Sequence, residues 1–124
     1  AAMEGATLGL AYGLRRFSEL GLTPSEIRCT GGGSKSAVWR QISADIFGVP
    51  VVTLTTSEGA SLGGAIQAAH AADSSNSLED LCGRLVELDE STRALSDPSR
   101  SALYAEKLNA QTELTRHLSA GQYL

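Results

Sequence analysis

Three consecutive glycines, Gly31-Gly32-Gly33, stand between a short strand-like segment, Ile27-Arg28-Cys29-Thr30, and a helical pattern carried by Ala37, Val38, Gln41, Ile42, Asp45 and Ile46. No other feature constrains the fold as tightly. Residues without a Cβ leave backbone amides uncrowded, and the helix that follows directs the positive end of its dipole at the loop. Such a junction suits phosphate or ribose oxygens. The same glycines also serve where a strand must turn tightly into a helix, so both readings stand on the triplet alone. The spacing matches neither the GxxxxGK[ST] loop nor the GxGxxG fingerprint.

The flanking segments predict alternating strands and helices. Val49–Leu54 is almost wholly apolar or β-branched, as in a strand covered on both faces, and the next helix begins at a capping box, Thr55 as cap and Glu58 at the third helical position, and continues through Ala60–Ala72. Upstream, Met3, Ala6, Leu10, Leu14 and Phe17 recur at helical steps and predict one buried face. Gly5, Gly9 and Gly13 fall four apart on that helix. Each costs up to about 1 kcal/mol of helix stability relative to Ala, which predicts a neighbouring backbone close against them. Gly21 is the expected C-terminal stop, with Thr23-Pro24 turning the chain. Beyond the polar run Asp73–Ser77, a short helix is expected at Leu78–Gly83 and a periodless surface crossing at residues 84–96. Asp97-Pro98 then opens a last helix to about Ser119, with a sparse stripe of Tyr104, Leu108, Leu114 and Leu118. The order predicts an α/β fold with a short, partly parallel sheet and packed helices.

Composition removes several functions. Ten Lys and Arg against fourteen Asp and Glu give a net charge of −4 over 124 residues, and without a basic cluster no nucleic-acid partner is expected. No run approaches the roughly 18 apolar residues of a membrane span, and no charged leader precedes an apolar run, so no membrane partner and a cytoplasmic location are expected. Cys29 and Cys82 form no CxxC pair, and His70 and His117 have no second ligand at metal spacing. Two inert thiols, buried or half-buried, and no metal site among these residues are the expectation.

The run Thr30-Gly31-Gly32-Gly33-Ser34-Lys35-Ser36, then Trp39-Arg40-Gln41-Ile42, Ala44-Asp45, Gly48-Val49-Pro50-Val51 and Glu58-Gly59-Ala60-Ser61-Leu62-Gly63-Gly64-Ala65 resembles the C-terminal part of FGGY-family carbohydrate kinases. The Glu4-Gly5 helix matches the family's alanine-x-x-glutamate-glycine helix. The likeness covers residues 1–72 and weakens from 73 onward. It implies a fragment of the ribonuclease-H-like, actin-like ATPase fold, with residues 1–72 as an incomplete nucleotide-binding core and 73–124 as a variable helical tail of the same domain. It further implies transfer of the γ-phosphoryl of Mg-ATP to a sugar hydroxyl. The branch it most resembles acts on D-xylulose, with ribulose, gluconate or another polyol as competing substrates.

Carried over by position, Gly31, Gly32 and Gly33 would lie along the adenosine and phosphates of ATP or ADP, and Ser36 would face the adenine. Lys35 would stand at the rim, either assisting a phosphate or simply exposed at a helix start. Asp45, about three helix turns from the glycines, reads as a structural polar contact, Glu58 as a capping residue and Trp39 as an anchor. Gly63, Gly64 and Ala65 match small residues through which the family's helices pack closely, although the family more often has Ala at position 64. The family's catalytic aspartate, Asp-x-Gly-Thr loop, metal ligands and most of its sugar site belong to upstream segments. Residues 1–124 are therefore expected to be the adenosine-side piece of a longer kinase, with no catalytic residue and no activity alone. The competing expectation is a non-catalytic interaction module or homo-oligomer built on exposed apolar faces.

Overall fold

Short apolar strands need covering, and helix packing against the sheet supplies it. The computed structural model describes residues 1–121. In chain order the elements are α1 (Ala2–Glu19), β1 (Ile27–Cys29), a 3₁₀ turn (Gly32–Lys35), α2 (Ala37–Phe47), β2 (Val51–Leu54), α3 (Gly59–Ala72), α4 (Leu78–Leu85), β3 (Leu88–Ala94) and α5 (Pro98–Ala120). The sheet order is β1-β2-β3. β1 and β2 run parallel, with Ile27 opposite Val51 and Cys29 opposite Thr53. β3 joins β2 antiparallel.

Local signals place most boundaries. At the end of α1, Gly21 takes φ +83°, and its amide bonds Ser18 O while that of Leu22 reaches back to Phe17 O. This paired closure satisfies carbonyls that a helix end otherwise leaves open. Gly48 closes α2 in the same left-handed region. Ser77 accepts from the Asp80 amide to start α4, and Asp97 accepts from the amides of Ser99 and Arg100 with Pro98 at the first turn of α5. β2 starts at Val51 rather than Val49, since Pro50 has no N–H for a ladder; its carbonyl instead accepts from Ile27.

The core is centred on the middle strand. Val51 and Val52 are fully buried, each worth roughly 1.5–3 kcal/mol on burial. Ala44 and Ala94 pack with Val51, joined at the margin by Ile27, Cys29 and Phe47.

Several expectations are corrected. Residues 84–96 are not a surface crossing, and the chain beyond residue 73 is not purely helical, because Leu88–Ala94 forms β3. Its lack of alternation follows from an irregularity: from Val51 to Thr53 β2 advances two residues while β3 retreats five, from Ala94 to Asp89. Asp89 Oδ1 caps the irregular segment by accepting from the Ser91 amide and hydroxyl. Second, α1 is rotated from the predicted face. Thr7, Leu8 and Ala11 are buried, whereas Leu10 and Phe17 are 66% and 55% exposed. Hydrogen bonds from α2 and α5 set this rotation, since Trp39 Nε1 donates to Thr7 Oγ1 at 2.9 Å and the Tyr104 hydroxyl to Glu4 Oε1 at 2.7 Å. No neighbour among the described residues comes within 4 Å of a Cβ built at Gly5, Gly9 or Gly13. Third, the Thr55/Glu58 capping box does not form. α3 starts at Gly59, three residues later than a Thr55 cap requires, Glu58 itself occupies the cap position without a side-chain capping bond, and its amide is taken by Thr56 Oγ1. Fourth, Cys82 is exposed, while Cys29 is half-buried as expected. Leu114, predicted on the buried stripe of α5, is also exposed.

Candidate functional site

Because β1 and β2 are parallel, the segments leaving Cys29 and Leu54 emerge at the same end of the sheet, where parallel α/β folds place their ligands. The two meet closely. A Cβ built on Gly59, the first residue of α3, would lie 2.9 Å from both Cγ2 and Oγ1 of Thr30, so only glycine lets α3 begin against the end of β1.

The glycine segment is a defined turn. Gly31 holds φ +85°. The Ser34 hydroxyl donates to Gly31 O at 2.7 Å, and the Ser36 amide to Gly33 O at 3.2 Å. Ser36 then caps α2, its Oγ accepting from the Trp39 amide at 3.3 Å. Gly33 lies under the indole of Trp39, with its built Cβ 3.0 Å from the ring. Gly32 is exposed and has open space around it. The turn roofs a cleft of about 240 Å³ lined by Cys29, Thr30, Gly33, Ser34, Trp39 and Arg40.

The site residues expected from the sequence divide in two. Gly33 lines the cleft, and Gly31 and Gly32 form the rim of the same turn. Ser36 is half-buried as the α2 cap, and Lys35 is an exposed side chain at the end of the turn. Asp45 is a structural contact: buried, it accepts from the Asp97 amide at 2.9 Å and from Gln41 at 3.0 Å, and pairs with Arg100 at 2.8 Å. Burial pushes the Cys29 thiol above its ordinary 9.0, against the opposing pull of the Arg40 guanidinium. It is a protonated wall of the cleft at neutral pH rather than a nucleophile.

Sequence reasoning assigned no role to Arg40. Its Nη1 donates to Ser34 O at 2.7 Å and its Nε to Thr92 O at 3.0 Å. The available signal was position: Arg40, Ala44 and Phe47 fall on one face of α2, the face that meets the core. Larger clefts lie away from the turn. One of about 360 Å³ between α1 and α5 mixes Arg15, Arg16, Glu19 and Glu113, and another of about 360 Å³ runs along Gly9, Leu10, Gly13 and Phe17. Among the described residues no group of three or more His, Cys, Asp or Glu could hold a metal ion, and no helix is long and apolar enough to cross a membrane. Gly63 and Gly64 in α3 meet no described neighbour.

Residues 1–72 match the model of the FGGY family of carbohydrate kinases, C-terminal domain. A xylulose kinase of Haemophilus influenzae is 44% identical over 119 residues, covering 96% of this chain and 23% of that relative. A solved gluconate kinase from Lactobacillus acidophilus has the same fold at TM-score 0.80 and 25% identity, covering all of this chain and 25% of that one. A xylulose kinase from Rhodospirillum rubrum superposes at TM-score 0.77 and 24% identity over 98% of this chain and 24% of that one. The chain thus spans about a quarter of the length of these proteins.

Proposed function

As the chain belongs to the FGGY family of carbohydrate kinases, we propose that it supplies the adenosine side of the ATP site of a sugar kinase. One observation carries this reading: an exposed glycine turn at the shared end of two parallel strands, with nothing within 4 Å of a Cβ built at Gly31 or Gly32. A nucleotide can lie against main chain there, met by the amides that open the turn and by the N-terminal end of α2. Gly31, Gly32 and Gly33 contact the nucleoside and its phosphates. Ser36 keeps a hydroxyl proton to offer the adenine even while its oxygen serves as cap, and Lys35 brings a mobile charge to the rim. Residues 1–72 form the nucleotide-binding core, while the chain beyond it closes the sheet with β3 and braces α2 and α1 with α5.

Mg-ATP supplies the transferable γ-phosphoryl and neutralises its developing charge. On this reading the Mg²⁺ ligands and the base for the sugar hydroxyl come from other segments of the kinase. D-xylulose is the proposed substrate of the parent kinase, on the strength of the 44% identical xylulose kinase; the fold likeness to a gluconate kinase favours gluconate as the second reading. On either reading we propose a cytoplasmic enzyme, working where its nucleotide and sugar are met. A non-catalytic module that self-associates is the remaining alternative, favoured by the open apolar groove along Leu10 and Phe17.

The test is a titration of the 124-residue chain with ADP, followed through Trp39, its single tryptophan. Saturable binding is expected, weakened by Gly32→Leu. That variant should fold normally, since the position has open space and no left-handed φ. The chain alone should not phosphorylate xylulose. Self-association indifferent to ADP, with no ADP binding, would favour the module instead.

A further inference from the structure

The glycine turn has little of its own to hold it in place. Its internal bonds are local, and three glycines have no side chains to pack. Arg40 is the tether that reaches beyond it, joining the turn at Ser34 O to β3 at Thr92 O. The half-buried guanidinium bonds here to two main-chain carbonyls, and no carboxylate of the described residues forms an ion pair with it.

The irregularity in β3 makes this possible. Where a regular ladder would bind the Thr53 amide to a carbonyl, the Thr92 hydroxyl accepts it at 3.0 Å, bonds Thr53 Oγ1 at 3.0 Å and reaches Asp89 O at 2.7 Å. The displaced backbone of Thr92 then turns its carbonyl to Arg40 rather than along the ladder. A planar fork with fixed N–H directions suits two carbonyls from separate elements, which a single lysine nitrogen cannot bridge in the same way.

We propose that Arg40 is a positioning residue of the nucleotide site: it ties the glycine turn to the bulge of β3 and thereby holds the turn's amides in the place that receives the nucleotide. This rests on reading the turn as a nucleotide site. Arg40 touches the turn and not the ligand, so its effect passes through Ser34.

The experiment compares wild type, Arg40→Lys, Arg40→Gln and Thr92→Val in the 124-residue chain by amide hydrogen exchange and by ADP titration. Loss of the fork should speed exchange in residues 31–36 by about tenfold, leave the second half of α2 protected as in wild type, and weaken ADP by about tenfold, the scale of one or two hydrogen bonds. Thr92→Val should fall between, because it loosens the bulge and leaves the guanidinium in place. Unchanged exchange of the turn in both Arg40 variants would overturn the tether while leaving ADP binding by wild type intact. Faster exchange with wild-type ADP affinity would reduce Arg40 to a structural strut and overturn the positioning role. Absence of ADP binding by wild type would instead sink the nucleotide reading, and the role of Arg40 with it. Should Arg40→Gln fail to fold, Arg40→Lys and Thr92→Val carry the same comparison.

Discussion

Trp39 Nε1 donates to Thr7 Oγ1 at 2.9 Å, joining the first turn of α2 to the middle of α1 across 32 residues of sequence. Thr7 is buried, and its hydroxyl proton is spent on Met3 O at 2.8 Å, so its oxygen is free to accept. Replacing Thr7 with Val leaves the indole N–H facing an apolar group. The expected loss is about 1–3 kcal/mol, read as a lower thermal midpoint. Trp39→Phe should cost a similar amount, and the double variant less than the sum of the two. Strict additivity would show that the bond contributes nothing to the packing of α1 on α2.

Gly59 and the glycines of α1 should respond to alanine with opposite signs. A Cβ at Gly59 lies 2.9 Å from two atoms of the Thr30 side chain, so Gly59→Ala is expected to destabilise by about 1–3 kcal/mol through overpacking. Thr30→Ala removes both clashing atoms and should recover part of that loss. A stable Gly59→Ala chain by denaturant unfolding would contradict the close approach of α3 to β1.

Gly9 sits in open space in the middle of α1. Gly9→Ala should stabilise the chain by roughly 0.5–1 kcal/mol, the helix-propensity difference alone. Destabilisation in the same denaturant series would mean that a neighbour does cover this face in solution.

Glu26 accepts from Arg28 at 3.0 Å and from Arg93 at 2.7 Å, bracing β1 against β3. These bonds, Arg28 first and then Arg93, hold its carboxyl below the ordinary 4.5. A depressed carboxylate stabilises the folded chain above its unfolded value and loses that contribution as pH falls through the folded value. The difference in thermal midpoint between wild type and Glu26→Gln should therefore be constant from neutral pH down to about 4.5 and narrow below it. A difference that persists undiminished in acid would assign the effect to packing rather than charge.

Much of the architecture was legible because it is written in short-range chemistry. The stop at Gly21, the cap at Asp97-Pro98, the polar start of α4 and the strand-glycine-helix order each depend on residues within a few positions of one another. The glycine turn was legible for the same reason. What escaped were arrangements whose partners lie far apart. β3 has no alternating pattern, since its irregular segment uses Asp89 and Thr92 side chains in place of ladder bonds. Arg40 was assigned no role, because its two acceptors are carbonyls, which carry no side-chain signal.

The sequence by itself determined the succession of elements, the glycine turn between β1 and α2, and the family to which that turn belongs, because caps, left-handed glycines and apolar strands act over a turn or two of chain. Only the tertiary structure decided how α1 is rotated, that β3 closes the sheet and that Arg40 ties the turn to it. Apolar periodicity alone put Met3, Leu10 and Phe17 inward; the hydroxyl of Thr7 and the carboxylate of Glu4 met donors from α2 and α5, and a partly buried donor left without a partner costs more than an exposed leucine.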